Sequence, residues 1–399
     1  MPWDQLIDEA ALARLIPEPH RQFAAPIREA LVVFLGGLPA ERQAAILESQ
    51  AGLPLDSPLA IRLGKLAMEC PVLHKLGQVI ARDRRIEPEL RTELSKLESL
   101  PPATPIEQIE RTLREELGPL EKLGLKLLPP ALAEASVAVV VPYTSEAGTL
   151  DGVFKVLKPG IQQRLEEELS LLEQVGKHLD DSCHRLGIPE LDYQQAFSQV
   201  KEKITWELRL DAEQEHLRAA RRFYAHDRGV LIPKVFDYST PRVTAMERVH
   251  GCKVTDHTIA CSRQARRVAQ LVSRSLISRP IFSRAADAMF HSDPHAGNLF
   301  LTDDGRLAIL DWSLVGTLGE VQRRAVAQLL MGGVMLRSDR ILAALESVAE
   351  RPSTKPLELV QVVERSLEQL SRGGLPSMTW LVDLLDQASV AGGLRVSAD

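Results

Sequence analysis

Apolar residues recur at helical spacing through Ala24 to Leu35 and again through Ile61 to Ile80. Prolines at 54, 58, 71, 101, 102 and 105 punctuate that pattern. Residues 1–125 therefore read as a helical N-terminal extension. Thr104-Pro105-Ile106-Glu107 offers a capping hydroxyl, a first-turn proline and an acidic third position to a helix running to Leu117, which Gly118-Pro119 ends. From residue 126 the period changes. Val137 to Val141 and Gly152 to Leu157 are short β-rich runs joined by a turn-like Thr144 to Gly148, which predicts a strand pair. Pro159-Gly160 closes it, and helical sequence follows to residue 225, including a helix from about Gln194 to Phe223. A second β patch joins Val230-Leu231-Ile232-Pro233 to Arg242 to Met246. Beyond residue 258 the pattern is helical again, broken by Asp303-Asp304-Gly305, which predicts a hairpin between Leu299-Phe300-Leu301 and Leu307 to Leu310. The order is helical extension, small mixed part, larger helical part: an α+β, two-lobed fold divided at 1–125, 126–250 and 251–399.

Composition narrows the partners. The 399 residues are 45% hydrophobic and 26% charged, with net charge -6, so no basic excess points to nucleic acid. Arg82-Asp83-Arg84-Arg85 reads as a solvated helix face. The four cysteines, Cys70, Cys183, Cys252 and Cys261, form no C-x-x-C pair, which argues against a disulfide framework or zinc site and for a reducing compartment. Met1 to Gln5 lacks a signal peptide's basic region. Apolar runs such as Leu329 to Leu336 fall short of the ~20 residues of a membrane span. The expectation is a cytoplasmic protein, with peripheral membrane contact left open; Val32-Val33-Phe34-Leu35 reads as core rather than as a docking segment.

The chemistry concentrates at His291-Ser292-Asp293-Pro294-His295-Ala296-Gly297-Asn298, the hairpin after it, and Asp311. Phosphoryl transfer needs a carboxylate to orient or deprotonate the nucleophile, and oxygen ligands for a magnesium ion on the phosphates. A loop Asp, an Asn five positions on, and a second Asp returned by a hairpin supply those parts in the order of the kinase signature. Asp293 and Asn298 could instead cap turns and Asp311 a helix, but an acid directly after an apolar strand is not placed for packing. A rival metal site from His291, Asp293 and His295 leaves Asn298 and Asp311 unexplained, and Pro294 and Gly297 break the strand it needs. His295 reads as a loop organiser.

A nucleotide site also needs a cation. Lys155 sits in the apolar strand Val153-Phe154-Lys155-Val156-Leu157, as in the V-A-I-K pattern; Lys158, before Pro159, is a competitor. The helix near 194–223 offers Glu202, Glu207, Glu213 and Glu215 as partners, and periodicity does not choose among them. No G-x-G-x-x-G precedes Lys155; Pro130 to Ser136 stands there, rich in alanine.

Together these residues resemble the UbiB/ADCK family of atypical kinases, over roughly residues 65 to 395. Lys75, Gly77 and Gln78 match its K-x-G-Q motif, Ala133-Glu134-Ala135-Ser136 its alanine-rich loop, and Phe154 to Ile161 its lysine strand. Glu93 to Leu97 with Pro101-Pro102, and His291 to Asn298, follow the family pattern too. The resemblance implies a protein-kinase-like fold binding ATP or ADP with Mg2+. It implies that Lys155 holds phosphates, that Glu207 pairs with Lys155 and that Glu213 faces the K-x-G-Q segment. It further implies that Ala133, Ala135 and Ser136 cover the nucleotide, that Met246 and Glu247 form the adenine hinge, that Asp293 acts on the nucleophile, and that Asn298 and Asp311 hold the metal. Lys75 and Gln78 belong to an extension that occludes a protein substrate, so the implied activity is ATP hydrolysis or phosphorylation of a small acceptor. The implied setting is ubiquinone or isoprenoid-lipid metabolism, with an isoprenoid lipid, a membrane surface or proteins of a quinone-biosynthesis complex as partners. The alternative is a nucleotide-binding pseudokinase. Departures motivate that alternative: Trp312-Ser313 replace the phenylalanine and glycine expected after the metal aspartate, Glu134 replaces an alanine and could repel phosphates, and Ala138-Val139 stand where Gly-Gln is usual. The chain ends at Asp399, where relatives commonly continue with further helices.

Overall fold

Proline placement sets the helices of the N-terminal region. In the computed structural model, which describes residues 2–83, 85–98, 101–256, 259 and 264–396, the 61–80 pattern is two helices, Leu59–Glu69 and Pro71–Ala81. They part at Cys70, because Pro71 has no N–H to continue the first helix but suits the first turn of the second. Arg84 and Cys261 lie outside the described residues. Cys70, Cys183 and Cys252 are free thiols. The chain forms two compact units, residues 1–215 with 233–249, and residues 216–232 with 250–399.

In the first unit, the helix Ala24–Gly37 packs along the long helix Ile161–Leu186. Phe34, Leu35, Leu165, Leu169, Leu172 and Val175 are buried together there, so the Val32–Leu35 run is core. Inside this apolar contact Glu168 is wholly buried, paired with Arg42 and accepting the Val72 N–H at 2.8 Å. Its burial raises its pKa against the pull of Arg42.

The sheet of this unit runs Leu125–Leu127, Ala138–Ser145, Asp151–Leu157, Val243–Glu247, each neighbour antiparallel, with Ala133–Glu134 also paired to Ala138–Ser145. Strand alternation divides it. Val139, Val141, Phe154, Val156, Val243 and Ala245 face the helix Ile106–Leu117 through Ile109 and Leu113. On the other face Leu157 packs with Val137, Ala138, Ile161 and Leu210. Thr104 does not cap Ile106–Leu117; Pro105 occupies that position without a side-chain bond, and the Thr104 hydroxyl donates to Glu134 instead, at 3.1 Å.

The expected second β patch divides. Val243–Glu247 joins the lysine strand, whereas Val230–Leu231 lies parallel to Leu307–Ile309 in the second unit. That sheet continues through Leu299–Thr302 to Gly251–Lys253 and contains the expected hairpin, in register Leu307 to Leu301 and Ile309 to Leu299. Its turn needs Gly305 at φ +81°. Asp287–His291 and Val315–Gly319, expected to be helical, form an antiparallel pair. The helices Glu320–Val334, Ser338–Val348, Pro356–Ser371 and Met378–Val390 close around Leu329, Ile341, Leu345, Val362, Trp380 and Leu384. Among the described residues no helix is long and apolar enough to cross a membrane.

Candidate functional site

In the second unit a set of hydrogen bonds gathers the loop acids. The strand Asp287–His291 ends at His291, which is buried. The Asp293 N–H donates to His291 Nδ1 at 3.1 Å, so the ring hydrogen sits on Nε2 and donates to the Asp311 carbonyl. One imidazole thus ties the backbone of one acid to that of the other. Burial lowers the His291 pKa, which keeps the neutral tautomer that both bonds require. Asn298 joins through its carbonyl, which accepts the Leu310 N–H at 2.9 Å, one residue before Asp311. His295 braces the intervening turn: Nδ1 accepts the Gly297 N–H at 3.1 Å, and Nε2 lies 2.9 Å from the Asn298 amide. Both His291 nitrogens are committed to backbone, and among the described residues no cluster of three or more His, Cys, Asp or Glu could hold a metal ion, so the His291–Asp293–His295 site is not formed.

The segment after Asp311 is anchored. Trp312 is fully buried, its indole donates to the Ile309 carbonyl at 3.1 Å, and its ring lies 4.9 Å from that of His291. His216 lies with Nδ1 2.9 Å from the Trp312 carbonyl, and the Ser313 N–H donates to Asp311 Oδ1 at 2.9 Å. Asp311 therefore caps the turn of its own segment rather than a helix.

In the first unit Lys155 makes a two-pronged ion pair with Glu213, at 2.7 and 2.8 Å. The family resemblance assigned Lys155 to Glu207; the structure exchanges the glutamates. Leu210 packs against Leu157, which fixes the phase of the helix Leu210–Phe223. Three residues along that helix and two back along the strand, Glu213 and Lys155 meet on the same faces. Glu207 lies before this helix, at the end of Tyr193–Trp206, because the expected 194–223 helix breaks there. Its carboxylate takes Lys75 at 2.7 Å and the Ser136 hydroxyl at 3.5 Å. The K-x-G-Q lysine and the serine of the alanine-rich segment thus converge on Glu207.

His74, Gly77 and Gln78 of the K-x-G-Q helix face inward, while Val79 and Ile80 are exposed. The Gln78 amide donates to the Leu97 carbonyl at 2.9 Å, the acceptor that His74 Nε2 also uses at 3.0 Å. Burial takes the His74 pKa down to about 4. Gly77 is there for space: a Cβ would come within 2.8 Å of Leu97 Cδ1 and 3.1 Å of Leu94 Cδ2.

Ala133 and Ala135 are exposed and Ser136 is buried. The Glu134 side chain accepts from the Ala103 and Thr104 N–H groups at 2.7 and 2.8 Å and pairs with Lys158 at 2.7 Å. Burial pushes its pKa up, but Lys158 and the two amides outweigh this and hold it below the ordinary value. Its charge is therefore matched locally, which removes the expected conflict with a phosphate. At the hinge, Met246 is buried in its strand. The Glu247 N–H donates to Lys234 and the Arg248 N–H to Asp151, at 2.8 and 3.2 Å. Sequence reasoning missed His216 and the His74–Leu97 contact; isolated histidines on helices carry no spacing signal.

A profile described as the ABC1 atypical kinase-like domain matches residues 96–345. An uncharacterized chloroplastic aarF domain-containing protein kinase of Arabidopsis thaliana is 31% identical over 296 residues, 71% of this chain and 51% of that protein. A probable protein kinase UbiB of Shewanella baltica is 29% identical over 278 residues, 66% of this chain and 49% of that one. This chain thus spans about half the length of those relatives. Among solved structures, the complex of Rv3197 with erythromycin from Mycobacterium tuberculosis matches 90% of this chain and 86% of its own, with TM-score 0.53 and 17% identity, a likeness of fold.

Proposed function

This chain belongs to the ABC1 atypical kinase-like family, and from that premise we propose that it is a Mg-ATP-dependent ATPase or phosphotransferase serving ubiquinone or isoprenoid-lipid metabolism. The observation that carries the reading is the His291 tie between Asp293 and Asp311, with Asn298 bonded one residue away. It fixes the backbone of the two acids and of the amide residue through one buried imidazole and one backbone bond. Asn298 and Asp311 offer the oxygen ligands for Mg2+, which when bound neutralises charge on the phosphates. Lys155, oriented by Glu213, supplies the phosphate cation. Asp293 orients the attacking hydroxyl or water and accepts its proton. The Val249 N–H makes no hydrogen bond among the described residues and is the hinge donor left for adenine. Lys75 pairs with Glu207 and serves the nucleotide site indirectly, through Ser136 of the alanine-rich segment.

The test is steady-state ATP hydrolysis with and without Mg2+, anionic lipid and a phenolic quinone-precursor analogue. Asp311→Asn is expected to lower kcat at least about 100-fold, roughly 2.7 kcal/mol of barrier, with the thermal melt of the apoprotein kept. Unchanged turnover in that variant overturns the metal role. The anchored Trp312–Ser313 segment favours one second reading, a nucleotide-binding pseudokinase. ATP-induced stabilisation fits both readings; stabilisation with no hydrolysis under any lipid condition selects the second.

A further inference from the structure

The second unit carries a basic double cavity, built from residues that the proposed nucleotide site does not use. One chamber, of about 380 Å³, is lined by Arg274, Ser278, Arg279, Ser283 and Arg284, with Phe282 at its edge. The other, of about 770 Å³, is lined by His226, Arg228, Arg267, Gln270 and Leu271. Asp227 and Arg274 line both, so the two are adjacent.

A backbone irregularity aims two of these cations. Arg274–Ser278 is a π turn, closed by the Arg279 N–H donating to the Arg274 carbonyl. In an α-helix, residues five apart point about 140° away from each other; the wider π turn reduces that angle and brings Arg274 and Arg279 toward one side. Gly229 leaves room for Arg274, since a Cβ there would lie 2.6 Å from Arg274 Nη2.

The charge is not cancelled internally. Asp227 is the one acid lining either chamber and is taken by Arg274 at 3.1 Å. Arg279 donates to the neutral Phe223 carbonyl at 2.7 Å and lies over the Phe223 and Tyr224 rings, and its Nε is buried without a partner. Among the described residues no carboxylate pairs with Arg228, Arg267, Arg279 or Arg284. Arg228, Arg267 and Arg284 are exposed and Arg279 half-buried, and together they give this face a local positive potential in a chain of net charge -6.

We propose that this double cavity binds a phosphate-bearing ligand, with the guanidinium forks and the Ser278 and Ser283 hydroxyls as donors. Arginine forks match phosphate oxygens two at a time, and two adjacent basic pockets suit a diphosphate or a phosphate diester. Phe282, 66% exposed beside the first chamber, offers apolar surface to a chain attached to that phosphate. The ligand is therefore either a free phosphate compound or a lipid headgroup.

Two probes separate these sources: pyrophosphate titrated calorimetrically in EDTA at low salt, and flotation with phosphatidylcholine vesicles with and without phosphatidylglycerol. The variant is Arg267→Gln/Arg284→Gln, one exposed arginine from each chamber, with its melting temperature as the fold control. The wild-type chain is expected to bind pyrophosphate, phosphatidylglycerol vesicles or both, more weakly as salt rises. The double variant should weaken that binding at least tenfold. Binding of pyrophosphate alone assigns a free phosphate compound; binding of vesicles, with or without pyrophosphate, assigns a headgroup. Equal binding by wild type and variant, or no binding of either probe by the wild type, overturns the site. Because the titration contains no Mg2+ and no ATP, its result is independent of whether the nucleotide site turns over.

Discussion

Glu207 and Glu213 differ in what surrounds them, and that difference decides their roles. Glu213 is 2% exposed and faces Lys155 across strand and helix; Glu207 is 18% exposed and answers Lys75. Removing one partner of a buried pair leaves a charge that water cannot reach, a loss of about 3–5 kcal/mol, whereas a more accessible pair is worth about 1 kcal/mol or less. Glu213→Gln is therefore expected to destabilise far more than Glu207→Gln in urea unfolding. In double-mutant cycles, Lys155→Met should couple to Glu213→Gln by more than about 1 kcal/mol and to Glu207→Gln by almost nothing. Equal couplings would return Lys155 to the partner the resemblance gave it. His74 makes a second prediction at this scale. Its folded pKa, about 4, lies below the ordinary 6.5, so the unfolded chain binds the extra proton first. Stability is then lost as pH falls from 6.5 toward 4, by about 2 kcal/mol between pH 7 and pH 5. His74→Gln should flatten that part of the urea-midpoint profile; an unchanged slope rules His74 out as its source.

Among the elements, those with a strong period were legible and those made by long-range pairing were not. The Lys155 strand pair and the 299–310 hairpin follow from β-branched runs around turn residues. The strand Asp287–His291 has no β-branched residue and pairs across more than twenty positions with Val315–Gly319, so nothing local announces it. The break between Trp206 and Leu210 is equally silent, having no proline or glycine, yet it places Glu207 before the second helix, where it meets Lys75. The loop acids were readable because their order is chemical rather than structural; the histidine that binds them together was weighed as a metal ligand, since sequence cannot show that both its nitrogens meet backbone. The K-x-G-Q helix gives the element-scale prediction. At Gly77 an alanine would gain helix propensity of about 1 kcal/mol, offsetting its contact with Leu97. Gly77→Val cannot, and is expected to cost roughly 1–3 kcal/mol by urea unfolding through overpacking against Leu94 and Leu97. A cost below about 0.5 kcal/mol would mean that the two helices part freely.

Across the molecule, membership in the ABC1 atypical kinase-like family accounts for residues 96–345, while the helices that bring Lys75 to Glu207 begin upstream of that span. Contacts over long sequence separations, Lys75 to Glu207 and Lys155 to Glu213, tie the N-terminal helices and the sheet to the helices that follow within the first unit. Glu134 extends this linkage. Its carboxylate moors the alanine-rich segment to the 103–104 backbone and to Lys158. With that mooring cut by Glu134→Ala, amide deuterium uptake is expected to rise together in residues 101–106 and 130–137; a rise in only one stretch would show that the two move separately. The segment that family resemblance lays over a nucleotide would then behave as a sail whose sheet is cleated to the loop leading into the helix Ile106–Leu117.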